Sequence, residues 1–175
     1  MSVDTFGRID WETLWISLAY LVSQRSIDPN TKHGCVFVTP SNVVLSMGYN
    51  GPFSGINDED VPLNRPEKYY WLKHAEENAI LNAAKEGIRI SNCICYISGP
   101  PCDRCMRGLV TVGCQKIVYG VCGSKCIDEQ SQEQIDKMVQ VSGLEIKQVN
   151  SIEPTIELFN QTLQYLNRKV SENER

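Results

Sequence analysis

The sequence predicts a single domain of the α/β class, and three observations carry that expectation. Its 175 residues, 42% hydrophobic and 22% charged, suit one full hydrophobic core in a globular protein. Segments with apolar residues at helical spacing alternate with short apolar runs of strand length from Trp11 onward. No internal repeat, low-complexity tract or linker divides the chain, so residues 1–175 are expected to form one unit with its core in 11–149.

In order, Asp10 caps a first helix whose Trp11, Leu14, Trp15, Leu18, Leu21 and Val22 share one face, expected to pack on a sheet. A loop from Arg25 to His33 turns at Asp28-Pro29-Asn30. Cys35 to Val38 reads as a buried strand, and Val43 to Tyr49 as its antiparallel partner after the Pro40-Ser41-Asn42 turn. A long loop then runs from Pro52 to Lys73, with the acidic run Asp58-Glu59-Asp60, the cations Arg65 and Lys68, and Tyr69, Tyr70 and Trp71. Loops of this length in a compact domain are often functional, although most single residues in it read as a solvated surface excursion.

His74 opens a helix that Gly87 stops, and Cys93 to Ser98 is a strand. The Gly99-Pro100-Pro101 bend leads to a helix with Cys102 and Cys105 in its first turn. Lys116 to Gly120 is a strand, Ile127 to Ser142 a helix ended by Gly143, and Leu144 to Val149 the last strand. The terminal helix, 153–170, repeats Ile152, Ile156, Phe159, Leu163, Leu166 and Val170 at alternating spacings of four and three. That narrow stripe suits core packing or a seam against another subunit.

The net charge of −4 and pI near 5.2 argue against a polynucleotide partner, which usually meets a basic stripe. The N-terminal residues lack a basic region followed by an apolar run, so no secretory signal is expected. The longest apolar stretch, Trp11 to Val22, contains Glu12, Thr13 and Ser17 and is too short to span a bilayer. Eight cysteines in such a chain are expected to be reduced thiols in a cytoplasm, with Cys93, Cys95 and Cys114 as small core residues.

The chemistry is concentrated in two short segments. His74-Ala75-Glu76 is followed by Pro101-Cys102-Asp103-Arg104-Cys105. A lone Cys-x-x-Cys is as often a structural zinc half-site or a redox pair as a catalytic one. One imidazole and two thiolates, however, give zinc three ligands and leave a tetrahedral position open for water. Glu76, not needed as a ligand, is then the expected proton carrier. The order H-x-E then P-C-x-x-C is the established signature of zinc deaminases, and it makes His74, Cys102 and Cys105 the metal ligands and Glu76 the catalytic residue. Cys122 and Cys126, together with His33 or Cys35, are a weaker candidate for a second, structural zinc site.

With these residues in place, the chain resembles the deoxycytidylate (dCMP) deaminase family of the cytidine deaminase superfamily. The resemblance extends from about Trp11 to Gly120. It includes Asp28-Pro29-Asn30-Thr31-Lys32, Gly48-Tyr49-Asn50-Gly51, Asn57-Asp58-Glu59-Asp60-Val61-Pro62, His74 to Ile80 and Lys116 to Gly120. It implies a three-layer α/β/α sandwich around a five-stranded mixed sheet, and hydrolysis of dCMP to dUMP and ammonia, feeding dTMP synthesis. It also implies homo-oligomers, commonly hexamers, activated by dCTP with Mg2+ and inhibited by dTTP. Carried over by position, Asn50 would touch substrate or effector, and Tyr49, Asn50, Gly51, Asp58 and Asp60 would hold the effector. Arg25 is the candidate for the substrate's 5′-phosphate.

Three positions depart from that pattern. His33 stands where an apolar residue is usual, Gly99-Pro100 replaces a bulkier pair before the cysteines, and Val121 to Cys126 lacks the expected acidic-aromatic run. Rival readings are a deaminase of a free nucleoside, a guanine-like base, a pterin-type ring or a tRNA adenosine, and, in another class, a non-catalytic zinc nucleotide sensor. The acidic balance disfavours tRNA, and retention of Glu76 disfavours the sensor.

Overall fold

The structure, a computed structural model, describes residues 5, 7–121 and 128–173. Helix α1 (Trp11–Ser23) starts where expected, with Asp10 Oδ1 accepting from the Thr13 N–H at 2.8 Å. Strands β1 (Gly34–Val38) and β2 (Val44–Tyr49) form an antiparallel hairpin, and β1 also pairs antiparallel with β5 (Ile94–Ile97). Between them lie a short ribbon of β3 (Gly51–Pro52) with β4 (Leu72–Lys73), a one-turn helix α2 (Lys68–Trp71), and α3 (Ala75–Lys85). Helix α4 (Asp103–Thr111) leads to β6 (Lys116–Tyr119), and α5 (Glu129–Ser142) to β7 (Glu145–Gln148); both strands join in parallel. The result is one mixed sheet of five strands, ordered β2-β1-β5-β6-β7, as the resemblance implied.

Alternation along β1 divides the core between two faces. Cys35 and Phe37 join Cys95, Ile97, Ala75, Ala79, Met106 and Leu109 beneath α3 and α4. Val36 and Val38 join Trp15, Ile16, Ala19, Tyr96 and Val118 beneath α1. Two glycines bring backbones closer than any side chain allows. A Cβ on Gly34 would collide with the Ala19 carbonyl of α1, and one on Gly48 with the backbone of Ala75 and Ala79 on α3.

The expected buried face of α1 needs correcting. Trp11 and Leu21 are exposed, whereas Trp15, Ile16, Ala19 and Ser23 are buried. Small Ala19 and Ser23 admit Gly34, so close approach, not bulk, sets the helix's rotation. Gly143 ends α5 at φ 68°, as expected, whereas the helix starts after Asp128, which caps it through the Ser131 N–H at 2.7 Å; Ile127 lies outside the described residues. Helix α6 (Glu153–Asn173) packs beside α1, where Ser17 Oγ meets Thr155 Oγ1 at 3.1 Å. Of its apolar stripe, Ile152 and Phe159 are half-buried, whereas Ile156, Leu163, Leu166 and Val170 are exposed among the described residues. No helix among the described residues is long and apolar enough to cross a membrane.

Candidate active site

The ends of β2 and β5 and the start of β1 lie at one end of the sheet, because Gly34 pairs with Tyr49 and Cys35 with Ile97. Helices α3 and α4 both begin there. His74 is the N-cap of α3 and Cys102 the N-cap of α4, and neither side chain caps its own helix. The two are free to face each other. His74 Nδ1 lies 3.4 Å from Cys102 Sγ and 3.3 Å from Cys105 Sγ, the latter in the first turn of α4. The three ligand atoms fall within 4.8 Å of one another, making this a candidate metal site. Zinc in tetrahedral geometry, with bonds of about 2.3 Å to sulfur and 2.0–2.1 Å to nitrogen, sets an N–S edge of roughly 3.5 Å, so the residues fit it.

Electrostatics support the same occupant. The hydrogen bond from Cys105, with His74 beside it, holds the Cys102 thiol far down, to about 3. Cys105 next to that sulfur is pushed well up, and the His74 imidazolium is favoured by its bond to Cys102. A dication at the shared point would draw the remaining protons off, which is how thiolate and imidazole sites ordinarily load. Two helix N-termini converging here favour negative sulfur further.

Glu76, in the first turn of α3, is buried. Burial raises its carboxyl pKa above the usual range, partly opposed by its own backbone N–H and by His74. It lines a cavity of about 320 Å³ together with His74, Cys102, Asn50 and Pro100. The cavity thus joins the metal-capable trio to a carboxylate that is not one of the three.

The remaining expected residues divide. Asn50 lines the cavity, but its side chain is engaged: Oδ1 accepts from the His33 N–H at 2.7 Å and Nδ2 donates to the Thr31 carbonyl at 2.8 Å. Tyr49 and Gly51 do not line it; their carbonyls accept from Asn78 Nδ2 on α3, at 2.8 and 3.3 Å. Asp58 and Asp60 are exposed in a 3-10 turn, away from the cavity lining. Arg25 is exposed just beyond α1 and does not line the cavity either.

Arg65, Lys68 and Lys73 are the cations that line it. The solvated-excursion reading of the long loop therefore fails at Lys68, which is 3% exposed and paired with Asp28 at 2.6 Å. Arg65 rests over the Tyr69 ring at 5.8 Å and Lys73 over Phe53 at 5.9 Å, while Phe53 stacks on Trp71. Neither Arg65 nor Lys73 has an ion-pair partner among the described residues. Cys35, Cys93, Cys95 and Cys114 are buried free thiols, as expected of core residues. The candidate second zinc site on Cys122 and Cys126 lies outside the described residues; Cys35 sits in the core with its sulfur 3.4 Å from Cys95.

A three-layer sandwich that presents histidine and two cysteines on converging helix starts, with a buried glutamate beside them, is the architecture of a zinc deaminase domain. Residues 9–121 match the cytidine and deoxycytidylate deaminase zinc-binding region, and the chain belongs to that family. Deoxycytidylate deaminase of the orangutan Pongo abelii is 31% identical over 117 residues, covering 63% of this chain and 65% of that protein. A probable deoxycytidylate deaminase of Caenorhabditis elegans is 35% identical over 121 residues, covering 67% of this chain and 60% of that protein. The chain thus matches less than two thirds of the length of either. Among solved structures, the dCMP deaminase of cyanophage S-TIM5 in complex with dCMP and dUMP aligns with a TM-score of 0.60 and 26% identity. That alignment covers 78% of this chain and 94% of the phage chain.

Proposed function

We propose that this protein hydrolyses dCMP to dUMP and ammonia. The observation that carries this reading is the buried Glu76 lining the same cavity as His74 and Cys102. His74, Cys102 and Cys105 would hold zinc, which when bound supplies a water acidified from pKa 15.7 to about 7 as nucleophile for the amine-bearing carbon. Glu76 takes the proton released as that water attacks and delivers it to the adjacent ring nitrogen. It then carries the proton of the hydroxyl newly formed on that carbon to the amine, which leaves as ammonia as the carbonyl forms. Burial suits it to this work, because a raised pKa brings the acid and the carboxylate closer in energy near neutral pH. The S-TIM5 enzyme, solved with dCMP and dUMP, supports the same substrate here.

A nucleoside monophosphate, not a free nucleoside, is favoured by the two unpaired cations at the cavity. Arg65 and Lys73 would take the 5′-phosphate in place of Arg25. Ammonia release from cytosine and deoxycytosine nucleosides, monophosphates and triphosphates tests the reading. dCMP should be turned over fastest, and an enzyme that deaminates none of them, or deoxycytidine equally well, overturns it.

Three further elements belong to the same reading. Control by dCTP and dTTP with Mg2+ is supported by Asn78, whose side chain ties Tyr49 and Gly51 to the helix that carries Glu76. Self-association is supported by Ile156, Leu163, Leu166 and Val170 of the 4-3 stripe of α6, which are exposed among the described residues at a spacing suited to a second helix of the same repeat. The free thiols suit a reducing, cytoplasmic setting in which dUMP would feed dTMP synthesis.

A further inference from the structure

His33 is a cavity residue that neither the metal-capable trio nor the cations account for. One asparagine grips its backbone from both sides: Asn50 Oδ1 accepts from the His33 N–H at 2.7 Å, and the Asn50 N–H donates to the His33 carbonyl at 3.1 Å. The residue is therefore fixed at the entrance to β1.

Its tautomer follows from Ser98, which is fully buried. Ser98 Oγ accepts from the Gly34 N–H at 3.0 Å, so its own hydrogen must find an acceptor. Among the described residues the acceptor in reach is His33 Nδ1, at 3.3 Å. A hydroxyl donating to Nδ1 leaves the ring proton on Nε2. Burial, and then the charge of His74, disfavour a second proton on the ring. His33 is thus a neutral imidazole with one N–H donor, and no described residue accepts from it.

We infer that His33 is a specificity-determining residue whose Nε2–H donates to an oxygen acceptor of the bound nucleotide, on its sugar or its pyrimidine ring. The inference rests on the dCMP reading above. An apolar residue at this position could pack against the nucleotide but could not donate.

The experiment compares wild type, His33→Val and His33→Gln, using zinc-loaded protein. Readouts are KM and kcat for dCMP and 2′,3′-dideoxy-CMP, calorimetric affinity for dUMP, and Tm. Loss of one neutral hydrogen bond should raise KM and weaken dUMP binding roughly three- to tenfold in His33→Val with kcat and Tm little changed. The donor amide of His33→Gln should recover part of it. A penalty that vanishes with the dideoxy nucleotide assigns the acceptor to the 3′ oxygen, and one that persists there assigns it to the pyrimidine carbonyl or the furanose ring oxygen. With two histidines in the chain, nitrogen NMR can also read the tautomer directly. A His33→Val variant that binds dUMP like wild type, a Nδ1–H tautomer, or equal losses in both variants together with a fall in Tm would overturn the inference. A wild type that neither binds dUMP nor turns over dCMP overturns the parent reading instead.

Discussion

Lys68 Nζ lies 2.6 Å from Asp28 Oδ2, and both side chains are almost wholly buried. Forty residues apart in sequence, they join the turn before β1 to the loop before α3, and both line the cavity. The Asp28 turn is itself closed by Oδ1 accepting from the Asn30 N–H at 2.9 Å. Part of the cavity wall therefore depends on a charge pair hidden from water.

Removing one partner of such a pair strands the other in low dielectric. Lys68→Met should cost about 3–5 kcal/mol, and the double variant Asp28→Asn/Lys68→Met should recover much of it. The pair also predicts an acid limit. Burial alone would raise the Asp28 pKa, but the hydrogen bonds from Lys68 and Asn30 outweigh it and hold the folded value below the usual one. A depressed carboxylate contributes stability fully above its unfolded pKa of about 3.9 and loses it as pH falls through the folded value. Urea unfolding of wild type should weaken below that point, and Lys68→Met should lose most of this particular dependence. A single variant costing less than about 1 kcal/mol would show the pair to be dispensable.

Metal content is the next expectation. Purified protein should carry zinc, and Cys102→Ala should lose it. Loading at neutral pH should release protons, chiefly from Cys105, whose pKa is raised, and from His74, also raised. Calorimetry in buffers of different ionisation enthalpy counts them. Wild-type turnover undiminished after chelation, with metal absent by elemental analysis, would remove the mechanism altogether.

Glu76→Gln separates proton transfer from architecture. Losing a general acid/base costs about 10²–10⁴ in rate. The substitution should leave zinc content and fold intact. Because burial raises the Glu76 pKa, the ionised form opposes folding, and its stability contribution is lost as pH rises through the folded value. The glutamine variant should therefore melt no lower than wild type at neutral pH. Activity within threefold of wild type would assign the proton work to another group.

How much of this was legible in the chain depends on the range of each interaction. His74, Glu76, Cys102 and Cys105 could be read because their chemistry sits in two short segments at helix starts. Asp10 and Gly143 could be read because helix ends are set by local residues. The Asp28–Lys68 pair could not, since charged residues in a loop look solvated until a distant partner is known. Arg25 and Arg65 are both loop arginines, and only the path of the chain distinguishes them; Arg65 reaches the cavity. The rotation of α1 was misread because hydrophobicity favours Trp11 and Leu21, whereas close packing against Gly34 selects Ala19 and Ser23.

Nucleotide control should pass through Asn78. Its amide donates to the carbonyls of Tyr49 and Gly51 from the second turn of α3, the helix with Glu76 in its first. Rate against dCMP concentration should be sigmoidal, hyperbolic with dCTP–Mg and suppressed by dTTP–Mg. Asn78→Ala should blunt both responses, within the 1–3 kcal/mol typical of coupling. Hyperbolic wild-type kinetics indifferent to both nucleotides would end the regulatory claim without touching the catalytic one.

For the substrate phosphate, the cavity offers cations other than the one that the sequence suggests. Arg25 is exposed and outside the cavity, while Arg65 and Lys73 line it without ion-pair partners among the described residues. Their aromatic neighbours, Tyr69 beneath Arg65 and Phe53 beneath Lys73, hold each cation in place without neutralising it. Lys68 is a poor competitor for phosphate, since Asp28 already satisfies it. A charge-assisted hydrogen bond is worth about 1.5–3 kcal/mol, or roughly 10- to 150-fold in affinity. Arg65→Ala and Lys73→Met should each raise KM for dCMP by an amount in that range while changing deoxycytidine turnover far less. Arg25→Ala should leave both substrates almost unaffected. The reverse pattern, with Arg25→Ala costly for dCMP alone and the two cavity variants silent, would return the phosphate to the residue that sequence position first suggested.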